Sequence, residues 1–259
     1  MDFQVYWAAY KASLLQKLEY RVDFALGVVT AMMLRLSQLA IQYVILEQSK
    51  QLMGWDMSQV VFLAGMTALS LGVSELFFNN VWMVPYYIVM GDLDRLLVYP
   101  VRTLPFLLIS NPVIHSFGNL IIGGVLACAA LQVNHVPPIQ WLWVPFWAVC
   151  GGILYTAALV LAASLSFKFV GPYGHNLFFV HQLLTANQYP LSVFPAALEW
   201  ILTLVLPFAA IVYLPAGWIF GKFTNPWCAF LAPLAALFMV FLAVRAWGWG
   251  VRQYESTGS

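Results

Sequence analysis

Apolar residues in this chain come in long unbroken runs, not in the strict alternation of a half-buried strand. The runs Asp23–Leu46, Met57–Phe78, Asn111–Leu131, Trp141–Phe167, Ala196–Leu214 and Pro226–Ala246 each reach or approach the roughly 20 residues that a bilayer-spanning helix needs. Backbone groups cannot stay unpaired in lipid, so spanning segments are helices or strands of a closed barrel. A barrel would alternate with period two, and these runs do not. The pattern predicts an all-α membrane protein with six transmembrane helices in a single domain over 1–259. Ahead of the first run, Phe3, Trp7, Tyr10, Leu14 and Leu18 form one helical stripe, with Lys11, Gln16, Lys17 and Glu19 mostly off it. Such a helix lies in the interface plane, aromatics at headgroup depth and lysines toward anionic lipid. We read 1–22 as this interfacial helix, turning into the membrane at about Tyr20–Asp23; the alternative is a plain extension of the first span.

Composition agrees with a bilayer as the solvent. Of the residues, 63% are apolar and 8% charged, with mean hydropathy +0.84, where soluble domains carry about 25% charged residues. An ordinary soluble enzyme, a disordered chain and a nucleic-acid binder are excluded. The net charge of +1 says little; the placement of the charges says more. With a cytoplasmic N-terminus, Lys11, Lys17, Arg21, Arg95, Arg102, Lys168, Arg245 and Arg252 fall inside, against Lys50 and Lys222 outside. The positive-inside rule then expects both termini in the cytoplasm. Outer loops fall near Glu47–Asp56, Gln132–Gln140 and Pro215–Asn225, and longer inner segments at Asn79–Ser110 and Lys168–Pro195. Lys11, Lys17 and Glu19 interrupt any cleavable signal.

The inner segment 79–110 carries the clearest local signals. Gly91 permits a turn, Asp92 is placed to cap a short helix through Arg95–Val98, Pro100 ends it, and Pro105 begins the approach to the third span. The result is a short charged helix clamped between two membrane-bound arms; on topology alone it is equally a capped connector at the headgroups. His175–Ala186 reads as an amphipathic helix with Phe178, Phe179, Leu183 and Leu184 on its apolar side.

Charges inside the runs are candidates for a path or for bracing. Arg35, near the middle of the first span, costs roughly 2.5–3.5 kcal/mol there and must face protein or water, or snorkel. Glu75 and Glu199 sit near span ends and either serve a path or simply reach the headgroups; Arg35 and Glu75 differ in depth by about two turns of helix. Pro207 interrupts the fifth span, as a hinge or gate element or as a plain kink.

Other chemistry finds little support. His175 and His181 do not share a helical face, and Cys128, Cys150 and Cys228 make no ligand pattern, so no metal is expected. Gly217–Thr224 fails the spacing of a phosphate loop, so the chain has no ATPase of its own. His115 and Ser116 are adjacent and point apart, which argues against a serine nucleophile. A secondary transporter or channel would show repeated halves or several intramembrane ionisable groups, and a lipid-modifying enzyme would need convergent groups at one depth. None is evident.

Gly91-x-Leu93-Asp94-x-Leu96-Leu97-x-x-Pro100-Val101, between the second and third spans, resembles the signature of ABC-2-type transporter permeases, the membrane subunits of bacterial ABC exporters. The runs Asn187–Pro195 and Leu206–Ala216 are similar to the branch often encoded as paired permeases beside one ATPase. The resemblance covers nearly the whole chain. It implies that Gly91, Asp92, Leu93, Asp94, Arg95 and Pro100 form a cytoplasmic coupling helix that docks on a soluble ABC ATPase dimer, which would bind the ATP and Mg. It further implies a second permease copy or a related permease, a substrate path between the two, and a bacterial inner-membrane location. No cofactor is expected in the chain itself.

Overall fold

The computed structural model describes residues 2–49, 54–168 and 174–254; Lys50 lies outside the described residues. All regular structure among them is helical. An N-terminal helix α1 (Asp2–Leu18) is followed after a two-residue break by α2 (Arg21–Ser49). Then come α3 (Met57–Phe78), a short turn, α4 (Val84–Met90), α5 (Leu93–Leu97) and α6 (Thr103–Ile109). Next are α7 (Ser116–Val133), the short α8 (Pro138–Trp141), α9 (Trp143–Leu165) and α10 (His175–Thr185). The chain ends with α11 (Ala196–Trp200), α12 (Tyr213–Ile219) and α13 (Trp227–Gln253). Among the described residues, five segments are long and apolar enough to cross a membrane: Arg21–Val44, Met57–Met90, Ser116–Val133, Pro138–Leu165 and Trp227–Gln253.

Helix α3 is the centre of the bundle. It packs on α7 along one side and α9 along another, with Phe62, Leu63 and Met66 fully buried. In lipid there is no hydrophobic drive between helices, so close backbone approach and dispersion must supply the contact. Glycines provide it. A Cβ on Gly123 would stand 2.8 Å from the Gly65 carbonyl oxygen, and one on Gly151 2.3 Å from the Ser70 hydroxyl. Gly118 brings α7 equally close to α2, where its Cβ would meet the Val28 carbonyl at 2.5 Å. Helix α13 is fastened to α9 by Trp147, fully buried, whose indole N–H donates to the Ala229 carbonyl at 2.9 Å. Beyond α7, helix α2 has few neighbours, and Leu26, Met33, Leu34 and Val44 stand exposed, as lipid-facing side chains would. Helix α1 is tied down by Tyr10, which is buried, stacks on Phe77 and donates to the Leu76 carbonyl at 3.4 Å.

Two expectations need correction. The run Ala196–Leu214 is not one continuous helix. After α11 the backbone makes a wide π turn at Ile201–Val205; Leu206 is extended, and a 3₁₀ turn at Phe208–Ala210 precedes α12. The cause is Pro207, which lacks an N–H and drives the preceding residue out of helical geometry. The second concerns His175–Ala186, which is a helix, but Phe178 and Phe179 do not share the buried side with Leu184. Leu177 and Leu184 point into the bundle while Phe178 and Phe179 are exposed. Helix α10 climbs antiparallel to α9: Asn176 Nδ2 donates to the Ala162 carbonyl, and His181 pairs with Tyr155 about two turns further along. The following turn, Ala186–Gln188, packs on α3. Hydropathy misses α10 because its polar side chains look costly one by one, yet Asn176 and His181 find partners in the bundle. Trp218 is likewise turned inward onto Trp147 and Phe230, whereas Trp227 is exposed like an interface anchor.

The glycine contact can be tested directly. Gly123→Val should destabilise the protein by about 1–3 kcal/mol through forced separation of α3 and α7, seen as a lower midpoint of thermal unfolding in detergent. Gly124→Ala, where a Cβ meets nothing within 4 Å, should leave the midpoint within error.

Candidate functional site

The first candidate site is the segment between α3 and α7. Helix α4 ends at Gly91, whose φ of 75° is the left-handed conformation a glycine C-cap supplies. Helix α5 then begins at Leu93. Asp92 stands at the N-cap position but its carboxylate makes no capping bond, contrary to the sequence expectation. Its backbone is already helical there, which aims the side chain away from the free N–H groups, and it faces Arg95 instead, 4.0 Å from the guanidinium. Leu93 is fully buried in the bundle core, while the Arg95 side chain is 80% exposed. The segment is therefore a rooted peg: one leucine fixes it and the charges stand on the far side.

Its surroundings brace it. The helix ends before Pro100, and beyond the following bend the Arg102 N–H donates to the Tyr6 hydroxyl of α1 at 3.1 Å. Tyr99 packs against Phe106 of α6. Asp94 faces Tyr254, the residue that closes α13, and this carboxylate together with burial raises the phenol's pKa. Tyr254 also meets the Phe167 ring, which packs on Trp247 of α13. Tyr254 carried no sequence signal; its role depends on α13 returning to the peg.

The second candidate site lies among the spans. Arg35 of α2 and Glu75 of α3 are brought together, but not in direct contact. Asn119 of α7 bridges them: Arg35 Nε donates to its Oδ1 at 3.0 Å, and its Nδ2 donates to Glu75 Oε2 at 2.8 Å. Arg35 also donates to Gln38 Oε1 at 2.8 Å. The long arginine side chain and the carboxamide together cover the difference in depth. Beside them, on α9, Tyr155 is buried and shares a hydrogen bond with His181, whose ring meets Trp82 edge-on. Ser74 and Thr156 pair at 2.7 Å between α3 and α9.

Glu199 and Pro207 do not join this network. Glu199 lies in the first turn of α11, on the side of Tyr213, and Pro207 sits in the break described above. Sequence reasoning missed Asn119, Gln38, Tyr155 and His181. The one visible signal was Asn119, an isolated carboxamide in an otherwise apolar, glycine-rich run. Among the described residues no group of three His, Cys, Asp or Glu side chains could hold a metal ion.

A glycine-packed bundle of long apolar helices, with a broken helical stretch and a charged peg, is the build of a multi-pass membrane protein. The comparison with protein families names the kind: residues 31–258 match the family described as ABC-2 family transporter protein. The chain belongs to that family and is a transport permease, a membrane component that goes with an ABC ATPase. No curated protein and no solved structure matches it.

The bridge makes a sharp prediction. Asn119→Leu leaves both Arg35 and Glu75 without their shared partner and should cost about 1.5–3 kcal/mol, the range for hydrogen bonds to charged groups. The loss should appear in the thermal midpoint. Asn119→Gln, which keeps the amide, should cost less.

Proposed function

We propose that this chain is the transmembrane permease subunit of an ATP-driven exporter, the whole of 1–259 acting as one transmembrane domain. A second permease copy or a related permease would complete the path, and a separate ABC ATPase dimer would bind the ATP and Mg and drive it. The observation that carries the reading is the peg: Leu93 rooted in the core, Asp92 and Arg95 exposed, in a member of a transport family. Exposed charges on a short helix favour directional contact with a soluble partner, and such contacts set register and partner choice. Gly91 and Pro100 bound the peg, and Asp94 links it to Tyr254 at the end of α13. ATPase closure would push the peg, and the push would reach the core through Leu93 and α13 through Tyr254.

We further propose six crossings, both termini in the cytoplasm and a bacterial inner-membrane location. Five crossings would separate the termini and divide the basic residues between both faces. A sixth passage restores the positive-inside pattern. Helix α10 supports a different assignment of that passage from Ala196–Leu214: it climbs the bundle from the α9 end that holds Asn176 toward Ser192, which lies beside Tyr213. Tyr213 in turn packs on Trp55, just ahead of α3. The broken stretch α11–α12 would then be a re-entrant excursion, with Pro207 at its turn. Arg35, Glu75 and Asn119 brace helices in this reading, and Glu199 stands apart at the re-entrant stretch.

The first experiment is to tag the chain, extract it gently from native membranes and identify what co-purifies. A soluble ATPase with vanadate-sensitive hydrolysis is expected; a chain recovered alone, under conditions that keep known complexes intact, would count against the reading. Asp94→Ala combined with Arg95→Ala should weaken ATPase binding by about ten-fold or more, equivalent to roughly 1.4 kcal/mol, with membrane insertion unchanged. Tyr254→Phe controls for loss of the Asp94–Tyr254 contact alone.

A further inference from the structure

Where the C-terminal half of α1 crosses the start of α2 and the α4–α6 arm, a cavity of about 640 Å³ opens. Its walls include Lys17, Tyr20, Asp23, Asn80, Tyr87 and Tyr99. Asn80 is only 2% exposed. Its Nδ2 donates to the Leu107 carbonyl at 2.9 Å and to the Ser110 hydroxyl at 2.8 Å, but its Oδ1 accepts nothing. A buried acceptor without a donor is a standing cost to the fold, and Asn80 is one of the residues that line the cavity.

Lys17 gives the cavity its positive wall. Its ammonium donates to Asn111 Oδ1 at 2.5 Å and to the Pro112 carbonyl at 2.6 Å, both neutral acceptors, and among the described residues no carboxylate lies within ion-pair distance. Partial burial lowers its pKa, so the charge is poorly solvated and favours an anion. Asp23, exposed at the start of α2, adds a negative charge to the lining. One site thus presents a cation, an anion and an orphan acceptor, among three tyrosines of the kind that settle at headgroup depth.

We propose that this cavity binds the headgroup of an aminophospholipid: phosphate against Lys17, primary ammonium against Asp23 and Asn80 Oδ1. The ammonium matters because Asn80 needs an N–H or O–H donor beside a positive charge. A choline headgroup has the charge without the donor, and a glycerol headgroup has donors without the charge. Hydrocarbon has a place nearby. The stripe of α1 that carries Ser13 and Lys17 to the cavity also carries Tyr6 and Tyr10 to a wholly apolar groove of about 450 Å³, floored by α6, α9 and α13. The proposal goes beyond the exporter reading and holds with or without an ATPase.

The test uses the full-length chain in detergent, titrated with dihexanoyl phosphatidylethanolamine, phosphatidylcholine and phosphatidylglycerol and with free phosphoethanolamine, binding read by native mass spectrometry. The ethanolamine lipid should bind at least ten-fold more tightly than the other two. Lys17→Met and Asp23→Asn should each remove most of that preference; Asp23 is exposed, so its variant does not threaten the fold. Equal binding of the three lipids, or a preference unchanged in both variants, overturns the site. Free phosphoethanolamine binding as tightly as the lipid would overturn the lipid assignment in favour of a soluble ligand.

Discussion

Polar groups that enter the hydrocarbon must find their partners in protein, because lipid offers none. That constraint organises the molecule more than any apolar contact does. Arg35, Asn119 and Glu75 stitch α2, α7 and α3 together, Ser74 and Thr156 join α3 to α9, and Tyr155 with His181 holds α10 against α9. These bonds need helices close enough for short side chains to meet, and the glycines at 65, 118, 123 and 151 allow that approach. Small residues and polar bridges are two halves of one solution.

The same logic explains the asymmetry between core and rim. Helices α3 and α9 carry the paired hydroxyls, share the close-contact glycines with α7, and are buried on most faces. Helix α2 faces outward along most of its length and meets the bundle chiefly through α7. Rigid helices at the centre suit a protein that must move as a body. The broken stretch at Pro207 departs from regular helix yet packs Ile211 against Gly151, whereas the peg at α5 presents its charges away from the bundle.

A peg can act as a lever only if displacement reaches the spans. Leu93 anchors it in the buried core, Asp94 faces the residue that closes α13, and the stretch of chain after Pro100 is held to α1 through Tyr6. A push on α5 therefore has three routes into the bundle, each made of identified contacts.

Much of this was legible in the residues. Long apolar runs placed α2, α3, α7, α9 and α13 because helix burial in lipid is a local property of composition. Gly91 and Pro100 marked the peg because turn geometry is local too. Tertiary structure alone decided that α10 belongs to the bundle, that Asn119 joins Arg35 to Glu75, that Asp92 does not cap, and that Tyr254 meets Asp94. Asp92 apart, whose partner Arg95 is three residues on, the deciding quantity is whether a polar group finds a partner far away in sequence. Hydropathy charges such groups as if they were alone, and only the packed bundle shows that they are not.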